Sequence, residues 1–293
     1  MDEKQSMTTY KITIPCFMDE TDRLSNALEP HMDTVCIMLN LEDETEQSWR
    51  IEAYTRTKPT KEDVCGYFTT PPLYEKDMII EKVEDINWLE HVYKSFPPKV
   101  IGSFYVYGNH IDNPEPPKDT HPLEITAATA FGSGEHETTH GCLEALSDLA
   151  KKQHGFERML DMGCGSGILG IGAMKLWDAP ALFVDCDDES VQVCSDNIQL
   201  NHISSKKYRV LQSFGFQKLE NEKPFDLICA NILANPLLEM AECFKKYLAK
   251  DGVLIISGLL DRHTDAMMDA YRPLVLVDKK NINNWMTLVF QSI

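Results

Sequence analysis

The chain has 293 residues, with 28 Lys and Arg against 46 Asp and Glu, for a formal net charge of −18. That balance excludes a phosphate-backbone binder, which needs a basic footprint, and favours basic proteins or small cations as partners. Hydrophobic residues make up 43% and charged residues 25%, ordinary for a globular protein. No apolar run approaches the roughly 18 residues of a membrane span, and the acidic start MDEKQSMTTYKIT has no export-signal pattern. The nine cysteines include no C-x-x-C pair, and Cys36, Cys164, Cys186 and Cys229 sit in or beside apolar segments. Buried, reduced thiols and a cytoplasmic location are expected.

In chain order, YKITIPC (10–16) has strand character and ETDRLSNAL (20–28) suits a helix. VCIMLNL (35–41) and SWRIEAYT (48–55) read as strands joined by the acidic turn EDETEQ. TKEDVCGYF (60–68) suits a short helix closed by Pro71-Pro72, and DMIIEKV (77–83) a strand. The order β-α-β-β-α-β predicts a small ferredoxin-like α+β domain over residues 1–85. INWLEHVYKSF then places Trp88, Val92 and Phe96 on one helical stripe, stopped by Pro97-Pro98. This predicts a linker helix over 86–97, about which the small domain could swing as a substrate clamp, with the main domain at 98–293.

A polar, proline-bearing loop (108–122) separates the strand SFYVY from LEIT. Beyond it, strands and helices alternate. MLDM (159–162), ALFVD (181–185), FDLICAN (225–231) and GVLIISG (252–258) are apolar strands. TTHGCLEALSDLAKK, ILGIGAMKLW, DESVQVCSDNIQLN and LLEMAECFKKYL have helical patterns. The alternation predicts an α/β domain with a doubly wound parallel sheet and helices on both faces. PLVLVDK (273–279) and WMTLVFQS (285–292), joined by NINN, predict a terminal antiparallel hairpin.

The strongest motif is Asp161-Met162-Gly163-Cys164-Gly165-Ser166-Gly167, between a strand and a helix. Glycines there let backbone approach a ligand closely. A dinucleotide fingerprint would place its third glycine at 168, which is Ile168, and no Gly-Lys-Ser/Thr follows as in a P-loop. D-x-G-x-G-x-G remains, a pattern suited to a nucleoside without pyrophosphate. Asp185 ends the next strand, where a carboxylate can accept hydrogen bonds from ribose hydroxyls; Asp187 and Asp188 are better placed to cap the following helix. Asn231-Ile232-Leu233-Ala234 follows the strand FDLICA. An Asn carbonyl with adjacent backbone carbonyls could hold an amine and aim its lone pair; a plain helix cap is the alternative.

Phe131-Gly132-Ser133-Gly134-Glu135-His136-Glu137-Thr138-Thr139-His140 contains an H-E-x-x-H match, the zinc-protease pattern. It follows a glycine-rich loop, so it should begin a helix rather than lie inside one. Leu143 and Leu146 also occupy the glycine and third-histidine positions of the extended form. The motif reads instead as a loop closing over a ligand, with Thr138 or Thr139 capping the helix.

Together, AFGSGEHETT, LDMGCGSGILGIGAMKL, Asp185, FDLICANILANPL and GVLIISGLL resemble the PrmA family, S-adenosylmethionine-dependent enzymes that methylate large-subunit ribosomal protein eleven. The resemblance is specific over 123–293; the N-terminal unit matches that family's substrate-recognition domain by element order. It implies a class I methyltransferase fold, S-adenosyl-L-methionine as cofactor with S-adenosyl-L-homocysteine as product, and a basic ribosomal protein as partner. No membrane and no direct nucleic-acid substrate are expected, and the relatives are bacterial. The acceptors would be lysine side-chain or N-terminal amines.

Thr139, Gly163, Asp185 and Asn231 fall on family cofactor positions. Phe131, Thr138, Asp161, Gly165 and Gly167 complete the candidate cofactor set, and Asn231, Ile232 and Leu233 are the candidate catalytic residues, with no metal ligands. Three positions depart from the family pattern: Thr126-Ala127-Ala128 replaces Asp-Pro-Gly, Glu137 replaces a proline, and Gln212-Ser213 stands where an acidic residue often lies near the adenine. Methylation of a nucleic-acid base is disfavoured by Ala234, where such enzymes carry an aromatic that stacks on the base. Methylation of another protein or of a small-molecule amine is the alternative within the class, and a non-catalytic nucleoside-binding module for ribosome assembly lies outside it.

Overall fold

The computed structural model describes residues 9–17, 20–39, 49–83, 97–126, 136–152 and 154–293. The chain divides into two units, Met1–His91 and Val92–Ile293.

The first unit runs β1 (Thr9–Cys16), α1 (Thr21–Leu28), β2 (Thr34–Leu39), β3 (Trp49–Thr55), α2 (Lys61–Gly66) and β4 (Ile79–Val83). Its sheet has the order β2-β3-β1-β4, with every neighbouring pair antiparallel. The two-residue period of β1 puts Ile12, Ile14 and Cys16 on one buried face. They pack with Leu24 and Leu28 of α1, Ile51 of β3 and Val64 of α2. A capping box starts α2: the Asp63 amide donates to Thr60 Oγ1 at 3.1 Å, and the Thr60 amide donates to Asp63 Oδ2 at 2.8 Å. The linker helix expected at 86–97 falls almost entirely outside the described residues.

The second unit opens with a small sheet of β5 (Lys99–Ile101), β6 (Phe104–Gly108) and β7 (His121–Ile125). Then follow α3 (Glu137–Lys151), β8 (Met159–Met162), α4 (Ile168–Trp177), β9 (Ala181–Asp185), α5 (Asp188–Leu200), β10 (Tyr208–Gln212) and β11 (Phe225–Asn231). The chain continues through α6 (Ala234–Glu239), α7 (Ala241–Tyr247), β12 (Leu248–Leu260), α8 (Thr264–Ala270), β13 (Val275–Ile282) and β14 (Trp285–Gln291). The main sheet is ordered β10-β9-β8-β11-β12-β14-β13. Its first five strands are parallel, and β14 runs antiparallel to both β12 and β13. The doubly wound sheet and terminal hairpin expected from the sequence are the ones that form.

Both faces of this sheet are covered, which is why its central strands are apolar without alternation. Along β11, Leu227 and Cys229 join the core that holds Phe104, Leu143 and Phe183. Ile228 and Ala230 join the opposite core, with Phe225, Phe244 and Tyr271.

Two expectations are corrected here. LLEMAECFKKYL forms two helices rather than one, broken at Met240 (φ −94°, ψ 5°), whose amide closes α6 on the Pro236 and Leu238 carbonyls and whose sulfur lies against Gly215. The cysteines are all free, but Cys186 is exposed rather than buried, because it lies just beyond the end of β9, where the chain leaves the sheet. Among the described residues, no helix is long and apolar enough to cross a membrane.

Candidate functional site

The glycine turn leaves β8 with left-handed backbone at Gly163 (φ 67°) and Gly165 (φ 51°), a region side chains resist. A Cβ at Gly163 would lie 2.2 Å from Ile232 Cγ2, so this position has no room for one. The Gly163 and Cys164 amides donate to the Val184 carbonyl at 2.7 and 3.0 Å, stapling the turn to β9. The Gly165 amide donates to Asp185 Oδ2 at 2.9 Å, and the Asp187 amide to Asp185 Oδ1 at 3.1 Å. Asp187, not Asp185, caps α5, accepting from the Ser190 amide at 2.9 Å. Asp185 therefore shapes the turn, and each of its oxygens retains a lone pair for a ligand.

Asp161 lies beneath this turn, 2% exposed, and accepts the Gly170 amide at 2.8 Å. Burial pushes its carboxyl up to about 7; the Gly170 hydrogen bond opposes that rise and the negative charge of Asp185 adds to it.

Asn231 ends β11. Its Nδ2 donates to Thr139 Oγ1 at 3.2 Å, which fixes the amide plane, while its Oδ1 is buried with no hydrogen-bond partner among the described residues. Burying an unpaired carbonyl is costly, so the atom is primed for a donor. Asn231 does not cap the next helix, whose cap is Leu233 without a side-chain bond.

The start of α3 corrects another expectation. The cap is His136, neither Thr138 nor Thr139: His136 Nδ1 accepts the Thr138 amide at 3.3 Å and lies 2.8 Å from Thr138 Oγ1. His136 has extended backbone (φ −76°, ψ 142°), so the H-E-x-x-H segment straddles the helix start. His140 turns to Glu144, at 3.3 Å. The His136 ring meets Trp285 edge to face at 4.8 Å.

These pieces surround a cavity of about 610 Å³, the size of a small-molecule site. It opens at the carboxyl ends of β8, β9 and β11, where the chain switches from one side of β8 to the other, the usual ligand position in open α/β sheets. Of the expected cofactor residues, Thr138, Gly163, Gly165, Asp185 and Asn231 line it, together with the expected catalytic pair Ile232 and Leu233. Thr139, Asp161 and Gly167 lie behind the wall: Thr139 holds Asn231, Asp161 holds α4, and Gly167 packs against Cys194. Phe131 is outside the described residues. Sequence reasoning missed Met162, Phe214, Met240 and Trp285 as lining residues. The register of the predicted hairpin could have pointed to Trp285, which opens β14; Phe214 follows the third parallel strand, where such sheets also place ligands.

The family model described as "Ribosomal protein L11 methyltransferase (PrmA)" matches residues 10–292. The chain belongs to this family. A Brucella suis protein named ribosomal protein L11 methyltransferase is 34% identical over 270 residues, covering 90% of this chain and 92% of its own. A Caulobacter protein of the same name is 34% identical over 252 residues, 85% of each chain. Among solved structures, a ribosomal protein L11 methylase from Lactobacillus delbrueckii subsp. bulgaricus is similar with a TM-score of 0.56 and 26% identity, covering 65% of this chain and 96% of its own. The main sheet, with its antiparallel last strand inserted beside its edge, is the class I S-adenosylmethionine-dependent methyltransferase arrangement.

That fold implies S-adenosylmethionine as methyl donor, and the residues present fit it. The turn at 163 is closed to any Cβ yet presents backbone to the cavity, Asp185 offers carboxylate lone pairs at the rim, and Asn231 in the wall has an Oδ1 with no partner among the described residues.

Proposed function

We propose that this protein methylates lysine side-chain or N-terminal amines of large-subunit ribosomal protein L11, using S-adenosylmethionine. The observation that carries the reading is Asn231 in the wall of the cavity bounded by the glycine turn, its Nδ2 held by Thr139 and its Oδ1 without a partner among the described residues. When bound, S-adenosylmethionine supplies an activated methyl group on a sulfonium. The backbone of Gly163 and Gly165 would bed the donor, and Asp185 would accept from ribose hydroxyls.

The acceptor side follows from Asn231. Its carbonyl can take one N–H of an amine and orient the nitrogen lone pair. Being neutral, it does not hold the extra proton of an ammonium as a carboxylate would. Positioning then does most of the work. A lysine near pKa 10.4 costs roughly 4 kcal/mol to deprotonate at pH 7.4, and an α-amine near 7.7–8.0 under about 1 kcal/mol. Single-turnover rates should therefore rise toward alkaline pH; a flat profile from about pH 6 to 9 would count against amine attack. The charge of −18 supports a basic protein partner, and the first unit is proposed as its docking domain.

The test is incubation with labelled S-adenosylmethionine and a ribosomal fraction, followed by intact-mass analysis of the modified species. Label in one small basic protein is expected. Label in RNA, or binding without transfer, overturns the reading. Asn231→Ala should keep the fold while cutting turnover strongly. Removing residues 1–85 should preserve donor affinity and abolish methylation of the protein.

A further inference from the structure

The strand order separates two sides of the cavity. Asp185 ends β9 and Trp285 opens β14, with β8, β11 and β12 between them. A donor whose ribose reaches Asp185 lies toward β8 and β9, so an acceptor must approach Asn231 from the side of β12 and β14. The wall on that side includes His136, the cap of α3, with the Trp285 ring against it.

Those two residues lie far apart in the chain, and their elements are tied together at the cavity end by one hydrogen bond. Asn283 Nδ2 donates to Glu137 Oε1 at 3.0 Å, joining the first residue of α3 to the turn two residues before Trp285. This bond is the leading cause that keeps the Glu137 carboxyl below the ordinary carboxylate range. Both ends are firmly mounted. Asn283 and Asn284 form a two-residue turn with left-handed backbone (φ 49° and 67°), which asparagine tolerates. The Asn284 amide donates to Asn281 Oδ1 at 3.0 Å, and its carbonyl accepts the Asp261 amide at 3.1 Å. Glu137 follows the His136 cap directly. Farther along α3 the helix and the hairpin meet again, away from the site. Gly141 lies against Thr287 with no room for a Cβ, and Lys280 Nζ donates to Asp148 Oδ2 at 2.7 Å. None of these four residues lines the cavity.

We propose that the Glu137–Asn283 pair is a positioning latch for methyl transfer, holding His136 and Trp285 together as the acceptor-side wall without acting on the donor side. The inference rests on the reaction proposed for this cavity and adds to it the residues that set the acceptor's approach.

The experiment compares full-length variants by calorimetry with S-adenosylhomocysteine, by kcat and KM with purified L11 as acceptor, and by melting temperature. Asn283→Gly removes the hydrogen-bond donor and keeps the left-handed turn. It should lower kcat/KM for L11 about 5- to 20-fold, because small misplacements near reacting atoms are costly, while S-adenosylhomocysteine affinity stays within about twofold. Asn283→Asp sets a like charge against Glu137 and should fall at least as far. Adding Glu137→Gln to Asn283→Asp reverses the hydrogen bond, the glutamine amide now donating, and should recover most of the loss. Lys280→Met breaks the remote pair, and should lower the melting temperature with kcat/KM within about twofold of the parent. Unchanged kcat/KM in Asn283→Gly overturns the latch alone. So does a matching loss of S-adenosylhomocysteine affinity, no recovery in the paired substitution, or an equal catalytic loss in Lys280→Met. A parent protein that binds S-adenosylhomocysteine but transfers nothing to L11 overturns the proposed acceptor, and the latch's role falls with it.

Discussion

Asp161→Asn isolates the energetic consequence of burying a carboxyl under the glycine turn. The carboxyl rises from an ordinary 3.8 to about 7, so the folded state holds a proton that the unfolded chain releases. Below about pH 4 both states are protonated and the contribution to stability is full. As pH rises toward 7 the unfolded state gains by ionising, and the fold loses about 1.4 kcal/mol per pH unit, roughly 4 kcal/mol in all, before the loss levels off. Asparagine keeps an oxygen for the Gly170 amide, which Asp161 now accepts at 2.8 Å, and it does not titrate. The variant should match the parent near pH 4 and be more stable by a few kcal/mol at pH 8. Denaturant unfolding of both proteins at several pH values measures this, and their difference at each pH removes contributions common to the two units. Curves that stay parallel from pH 4 to 8 would refute the account of Asp161 as a desolvated, proton-holding group.

Gly163→Ala should lower the melting temperature and weaken S-adenosylhomocysteine at least about tenfold by calorimetry. Left-handed backbone costs about 1–2 kcal/mol with a side chain, and the added carbon would sit 2.2 Å from Ile232 Cγ2. Thr139→Val leaves the buried Asn231 amide without its acceptor, a penalty of about 1–3 kcal/mol. Turnover should fall more than substrate affinity, with Thr139→Ser restoring both; an unchanged kcat would detach Thr139 from the acceptor side. Asp185→Asn can accept backbone N–H groups through only one oxygen, whereas the carboxylate now serves Gly165 and Asp187 with two. Donor affinity should drop about tenfold or more with only a modest change in melting, read by calorimetry and thermal unfolding.

Much of the second unit was legible because strands buried on two faces must be apolar throughout. MLDM, ALFVD and FDLICAN stand out between glycines and helical periods, and their ends mark the ligand crevice. The positions of Gly163, Asp185 and Asn231 around one cavity follow from that register. What could not be read depended on contacts remote in sequence. Asn231 is held by a threonine 92 positions earlier, and nothing local to either residue announces the pair. Met240, at the break between α6 and α7, lies against Gly215 on another loop, a neighbour that no local pattern announces. His136 took the capping role expected of a threonine because its ring nitrogen reaches the Thr138 amide, a use of histidine that capping preferences rank low. Short elements such as β5 and α8 offer too few turns or alternations for a period to emerge.

The inboard position of β14 has a consequence for assembly. The segment 285–291 is bracketed by β12 on one side and β13 on the other, so the outermost ribbon of the sheet is synthesised before the one that must slot inside it. β13 cannot dock directly and has to wait for its younger neighbour to zip in first. A chain interrupted near residue 284 would expose the flank of β12 as a raw seam of unpaired amides and carbonyls. Partly made copies of this unit should therefore be stickier than their small loss of length suggests.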